Sequence, residues 1–197
     1  MSRSLIQFDN TKDLGEWYDQ KYTEMGGGWS MEAQTANEIC EFIGSHTLWG
    51  AQSLLDVGCG EAHFVDHIKG VIKAVGIDCS QVIIQKAKEK FPDCVFIQAD
   101  IETWQNSHRF DVITSVGSVE HCINIGDALN NIKRLLSDTG VFYVLVPNEE
   151  WIHMDQPQEQ THTDEEWEII FKTAGFSTLK HRRTRDLTEF LFKKHEN

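Results

Sequence analysis

The sequence predicts an α/β fold: a doubly wound, mostly parallel sheet of seven strands that ends in a C-terminal antiparallel hairpin. Three observations predict it. Short, continuous apolar runs alternate with amphipathic stretches, the pattern of strands covered by helices on both faces. A glycine-rich turn follows the first of these runs, and two β-prone segments flank a polar turn near the C-terminus.

Each element has its own signal. Between residues 29 and 43, Met31, Ala36, Ile39, Cys40 and Ile43 recur at helical spacing, and Gly44 offers a stop. Residues 53–57, 71–77, 94–98, 110–115 and 141–146 read as strands, the last being the longest apolar run of the chain. Residues 63–69, 81–90 and 127–136 read as connecting helices, and right-handed crossovers then leave few topologies. Thr163-Asp164-Glu165-Glu166 is a capping box opening a helix to Ala174, with Gly175 placed to end it in the left-handed conformation. Residues 176–181 and 187–193 form the hairpin around the polar turn at 183–186.

The 197 residues fit one domain, with residues 1–50 as an N-terminal helical segment and 51–197 as the core. A net charge of −13 makes nucleic acid a poor partner, because binding to phosphate backbones needs a basic face. The longest apolar run is far shorter than the roughly 20 residues a helix needs to cross a bilayer. The first ten residues lack an apolar stretch with a small-residue cleavage site, so a cytoplasmic location is expected. Five cysteines, an odd number with no C-x-x-C pair, indicate neither a disulfide framework nor a zinc site.

The chemistry starts at Asp56-Val57-Gly58-Cys59-Gly60, where glycines let the backbone turn sharply; a side chain at Gly58 or Gly60 is expected to occupy ligand space. Such a turn alone is a weak signal. Asp78 strengthens it: it stands 20 residues after Gly58 at the end of the next strand, the spacing at which a carboxylate meets the ribose hydroxyls of an adenosine. Its charge disfavours a 2′-phosphate. A dinucleotide fingerprint wants Gly or Ala where His63 stands, and Glu61 adds negative charge, so a cofactor without phosphates fits better.

These residues, with the motifs that follow them, resemble the class I S-adenosylmethionine-dependent methyltransferases, nearest to those acting on small molecules, and so imply a Rossmann-like sheet. Leu54 to Ala62 resembles the family's first motif, Gly76-Ile77-Asp78-Cys79-Ser80 its acidic second, and Gln98-Ala99-Asp100-Ile101 its adenine-binding stretch. Phe110-Asp111-Val112-Ile113, Val119-Glu120-His121, Leu135 to Val141 and Thr163 to Phe176 match later regions in order. The sequence departs at Ala62, where a third glycine is common, and at Cys79; both are small. The resemblance assigns Asp56, Gly58, Cys59 and Gly60 to the methionine end of S-adenosyl-L-methionine, Asp78 with Cys79 beside it to the ribose, Asp100 and Ile101 to adenine, and Ser115 and Val116 to the neighbourhood of the sulfonium.

The acceptor site is then expected at residues 118–123 and 147–162. Candidate bases there are His121, first by its place after the fourth strand, then His153 and His162, with Asp155 among them. His153, Asp155 and His162 lack a recognised metal-ligand spacing, so no metal is expected. Trp17, Tyr18, Tyr22 and the glycines before Trp29 suit either a lid or plain packing. Residues 181–185, the basic cluster of an acidic chain, suit a solvated turn or an anion site. The absence of an Asn/Asp-Pro-Pro-Tyr-type motif at Ser115-Val116-Gly117-Ser118 disfavours amino-methylation of DNA. The expected function is methyl transfer to a small-molecule oxygen, nitrogen or carbon nucleophile, with a non-catalytic cofactor-binding protein and a protein or RNA methyltransferase as alternatives.

Overall fold

Apolar runs buried along their whole length must lie between helical layers, and the computed structural model, which describes residues 2–3, 6–28, 33–152 and 156–195, places them there. In chain order, β1 (Ser2–Arg3) is followed by α1 (Thr11–Met25), α2 (Ala33–Ile43) and α3 (Ser45–Gly50). The core then runs β2 (Ser53–Val57), α4 (His63–Ile68), β3 (Lys73–Asp78), α5 (Gln81–Lys90), β4 (Val95–Gln98) and β5 (Phe110–Val116). A single 3₁₀ turn, Val119–His121, precedes α6 (Ile125–Leu135) and β6 (Leu136–Pro147). β7 (Gln160–Thr161), α7 (Asp164–Thr173), β8 (Phe176–Arg183) and β9 (Leu187–Lys194) complete it.

Seven strands form one sheet in the order β4-β3-β2-β5-β6-β9-β8, and the two short strands β1 and β7 pair separately. The first five neighbours are parallel, whereas β9 runs antiparallel to both β6 and β8. The expected hairpin therefore inserts its second strand into the sheet and leaves the first at the edge. One core packs α6 and α7 against one face through Leu129, Ile132, Trp167 and Phe171, with Phe142 and Phe192 from the strands. On the other face α2 and α4 pack over Leu54, Val112 and Tyr143, and α1 and α5 over Phe96.

The capping box forms as expected: the Glu166 amide donates to Thr163 Oγ1 at 3.2 Å, and the Thr163 amide donates to Glu166 Oε2 at 3.1 Å. Gly175 (φ 92°) ends that helix. The N-terminal helix predicted from residue 29 is described from Ala33; Trp29 and Met31 lie outside the described residues. β6 starts five residues earlier than its apolar run, because Leu136 already pairs with Phe110 before an irregularity brings Val141 opposite Val112.

Helix α1 lies within the segment expected to be helical, ahead of the helix predicted from residue 29. Its signals are Asn10, whose side chain accepts from the Asp13 amide at 2.9 Å, and Leu14, Tyr18 and Tyr22 at four-residue spacing. Gly26, at φ 73°, caps its C-terminus.

Candidate active site

The C-terminal ends of the parallel strands open into a cavity of about 530 Å³, and the sheet order arranges its wall. Asp100 and Ile101 stand beyond β4, Asp78 and Cys79 at β3, Asp56 to Gly60 at β2, and Val116 with Glu120 and His121 beyond β5. Pro147 at the end of β6, Trp151, Gln156, Glu159 and Leu187 continue the wall, while Leu14, Tyr18 and Tyr22 of α1 border it from the N-terminal segment. The loop from 156 to 159 is tied to the N-terminal segment: the Gln158 amide donates to the Ile6 carbonyl at 2.9 Å, and Gln158 Nε2 to that of Phe8 at 2.5 Å.

The glycine turn is shaped by the protein itself. Gly58 has φ 69°, and a Cβ on it would stand 2.5 Å from the Ser118 Cβ and closer still to the hydroxyl. The expectation that a side chain at Gly58 would fill ligand space is corrected: it would collide with Ser118 first. Gly60 (φ 51°) and Ala62 (φ 63°) share the left-handed conformation, so the missing third glycine leaves an alanine in a backbone region that costs it on the order of 1 kcal/mol. Burial of Ala62 among Leu14, Val65 and Ile84 offsets that cost.

The carboxylates are positioned by backbone donors. Asp78 accepts from the Gly60 amide at 3.1 Å and from the Ser80 amide at 3.0 Å, which locks both oxygens beside the turn. Burial raises its pKa to about 6 against those two bonds, and burial likewise raises Asp56 to about 7, opposed by a 2.7 Å bond from Thr114 Oγ1. Asp100 gives one oxygen to the Glu102 amide at 2.9 Å; its other oxygen, buried at the cavity, has no hydrogen-bond partner among the described residues. A buried acceptor of this kind fits an exocyclic amine, and Asp78 retains lone pairs for a diol.

Glu61 does more than add charge. It accepts from the Gly28 amide at 2.8 Å and pairs with Lys90 at 3.2 Å, which ties the Gly28 backbone to the glycine turn. Asp19 of α1 accepts from Ser80 Oγ at 2.5 Å and from the Val82 amide at 3.0 Å, joining α1 to the N-terminus of α5.

At the far end, His121 is buried, and its Nδ1 donates to the Pro157 carbonyl at 2.9 Å. A carbonyl only accepts, so Nδ1 carries a proton and the other ring nitrogen, Nε2, stands 3.8 Å from Glu120 Oε1. Glu120 is 2% exposed, and burial, with Glu159 nearby, pushes its pKa up to about 8. The sequence reading passed over Glu120 and Glu159 as site residues.

Of the predicted site residues, Asp56, Gly58, Cys59, Gly60, Asp78, Cys79, Asp100, Ile101, Val116 and His121 border one cavity. Ser115 does not: strand alternation turns it to the opposite face from Val116. His162 does not either; its ring packs 4.5 Å from that of Trp167, with Nδ1 3.6 Å from Glu166. His153 and Asp155 lie outside the described residues. Among the described residues no group of three or more ligands suits a metal ion. The basic cluster is engaged internally, Arg182 with Glu189 and Arg183 with Glu149 and Asp164.

A sheet of this order with a carboxylate-flanked glycine turn at its switch point defines an α/β protein for an adenosine-type cofactor. A family model described as "Methyltransferase domain" matches residues 50–190. The chain belongs to this family of S-adenosylmethionine-dependent methyltransferases. It is 27% identical over 150 residues to the trans-aconitate 2-methyltransferase of Escherichia coli O6:K15:H31, an alignment covering 75% of this chain and 58% of the relative. The chain thus spans less than two thirds of the length of the curated relatives it matches. Among solved structures, the magnesium protoporphyrin IX methyltransferase of Synechocystis PCC 6803, with bound S-adenosylhomocysteine, superposes with a TM-score of 0.73 at 11% identity. That match covers 94% of this chain and all of the other. The 1,6-didemethyltoxoflavin-N1-methyltransferase of Burkholderia thailandensis gives 0.70 at 16% identity, over 94% and 87%.

Proposed function

We propose that the chain transfers the methyl group of S-adenosylmethionine to a small-molecule acceptor held at the His121 end of the cavity. The observation carrying this reading is the continuity of one cavity from Asp100 and Asp78 to His121 and Trp151, with a volume inside the roughly 300–1,000 Å³ of small-molecule sites. When bound, the cofactor supplies an activated methyl group with a good leaving group.

The chain's own residues bind, orient and exclude water. Asp78 takes the ribose hydroxyls, Asp100 the adenine amine with Ile101 beside the ring, and the turn from Asp56 to Gly60 the methionine portion. Cys79 and Val116 line the path, and His121 Nε2 receives a proton from the acceptor. Residues 1–50 form the lid and 51–197 the core, a division supported by the wall residues that α1 contributes and by the start of the family match at residue 50. A cytoplasmic setting is supported by five free thiols. No helix among the described residues is long and apolar enough to cross a membrane.

The test is a thermal-shift comparison of S-adenosylhomocysteine with NADH, followed by transfer of labelled methyl groups across a metabolite panel, with protein and RNA acceptors alongside. Stabilisation by S-adenosylhomocysteine and label on a metabolite are expected. Stabilisation by NADH alone, or label only on protein or RNA, would refute the reading.

A further inference from the structure

The loop that walls the His121 end of the cavity turns on a strained residue. Gln158 has φ 58°, the left-handed conformation that a side chain with a Cβ disfavours. Such a residue persists only where its surroundings fix it. Here the fixing comes from the other end of the sequence. The Gln158 amide donates to the Ile6 carbonyl at 2.9 Å, and Nε2 donates to the Phe8 carbonyl at 2.5 Å. Just beyond, Gln160 and Thr161 pair with Arg3 and Ser2. Gln158 is 6% exposed, so these bonds form away from water.

Gln158 does not line the cavity, but both of its neighbours act there. The Pro157 carbonyl accepts from His121 Nδ1 at 2.9 Å, and Glu159, a wall residue, accepts from Trp151 Nε1 at 2.9 Å. A rotation of the backbone at Gln158 would swing that carbonyl off the imidazole and shift the carboxyl that holds the indole. The other end of the cavity is built without this loop: Asp78 is held by the Gly60 and Ser80 amides, and Asp100 by that of Glu102.

Resting on the methyl-transfer reading above, we propose that Gln158 is a positioning residue for the acceptor end: braced by the Ile6 and Phe8 carbonyls, it aims the Pro157 carbonyl that orients the His121 ring. The N-terminal segment is thereby part of the acceptor site, and its loss of grip is felt in turnover and not in cofactor binding.

The experiment compares the full-length wild type with Gln158→Ala and Gln158→Gly. Alanine removes the side-chain donor and keeps the strain, whereas glycine removes both and so folds more readily. Nuclear magnetic resonance of protein carrying isotope-labelled histidine reads how fast the His121 Nδ1 proton exchanges with water, the signal being assigned by its loss in His121→Ala. Transfer of labelled methyl groups from S-adenosylmethionine to the metabolite panel reads turnover. In both variants the exchange is expected to quicken at least tenfold, and turnover to fall on the order of 10- to 100-fold, the effect of a misplaced reacting group. Stabilisation by S-adenosylhomocysteine is expected to match that of the wild type. Unchanged exchange or unchanged turnover in Gln158→Gly overturns the proposal, because the side-chain brace is then dispensable. An equal loss of stabilisation by S-adenosylhomocysteine overturns it too, since that marks a general loosening of the fold. Failure of S-adenosylhomocysteine to stabilise the wild-type chain defeats the underlying reading and takes the proposal with it.

Discussion

The Pro157 carbonyl accepts from His121 Nδ1 at 2.9 Å, and this one bond decides which ring nitrogen faces Glu120. Replacing His121 by Ala removes the proposed proton acceptor while leaving the proposed adenosine end, at Asp78 and Asp100, intact. Turnover is expected to fall 10²- to 10⁴-fold, the usual span for general base catalysis, with affinity for S-adenosylhomocysteine changed less than about threefold. Steady-state kinetics with calorimetric titration checks this, and undiminished turnover removes His121 from the role.

Asp78 is held by two backbone amides at 3.0 and 3.1 Å. Asp78→Asn keeps the shape and removes the charge that the ribose hydroxyls would meet. Affinity for S-adenosylhomocysteine is expected to drop about 10- to 100-fold, the range of one or two charge-assisted hydrogen bonds. Calorimetry reads it, and affinity equal to wild type contradicts the ribose assignment.

Gly58→Ala places a methyl against Ser118 in a left-handed backbone conformation. Unfolding free energy is expected to fall by about 2 kcal/mol or more, and Gly58→Ala with Ser118→Gly to recover part of it, since only the collision and not the backbone strain is relieved. Urea denaturation of the two single variants and the pair measures the coupling; strict additivity shows that Ser118 is not the obstacle.

Asp19 joins α1 to α5 through Ser80 and the Val82 amide. Asp19→Ala is expected to cost about 1 kcal/mol and to speed proteolysis between residues 11 and 25 ahead of the core. Limited digestion followed by mass spectrometry locates the first cut, and a first cut within the core sheet counts against the docking role.

Burial raises the Glu120 pKa from 4.5 to about 8. A raised folded-state pKa gives stability that is present in full below the unfolded value and lost as pH climbs through the folded one. Between pH 5 and 9 the wild type is therefore expected to lose on the order of a few kcal/mol more than Glu120→Gln, in which that group no longer titrates. Asp56 and Asp78, raised in the same sense, stay in both proteins and cancel in the difference. Denaturation midpoints at the two pH values decide; equal pH slopes show that Glu120 does not keep its proton in the fold.

Local signals were enough for much of this molecule. The apolar runs, the capping box at Thr163 and the Gly58 to Asp78 spacing are written in consecutive residues, and each is enforced by backbone geometry or by burial of a whole strand. They placed the parallel strands, the helix after Thr163 and the residues that line the glycine-turn end of the cavity. The His121 end of the cavity was decided only by tertiary structure. Glu120 is one acidic residue among 31 acidic residues in the chain until the turn after β5 and the loop from 156 to 159 bury it beside Glu159. The choice of His121 over His162 likewise depends on contacts that no run of consecutive residues declares: the Pro157 carbonyl, 36 residues on, holds one ring, and Trp167, on the next helix, packs the other. A carboxyl's chemistry is set by what excludes water from it, and that exclusion is made by distant parts of the chain.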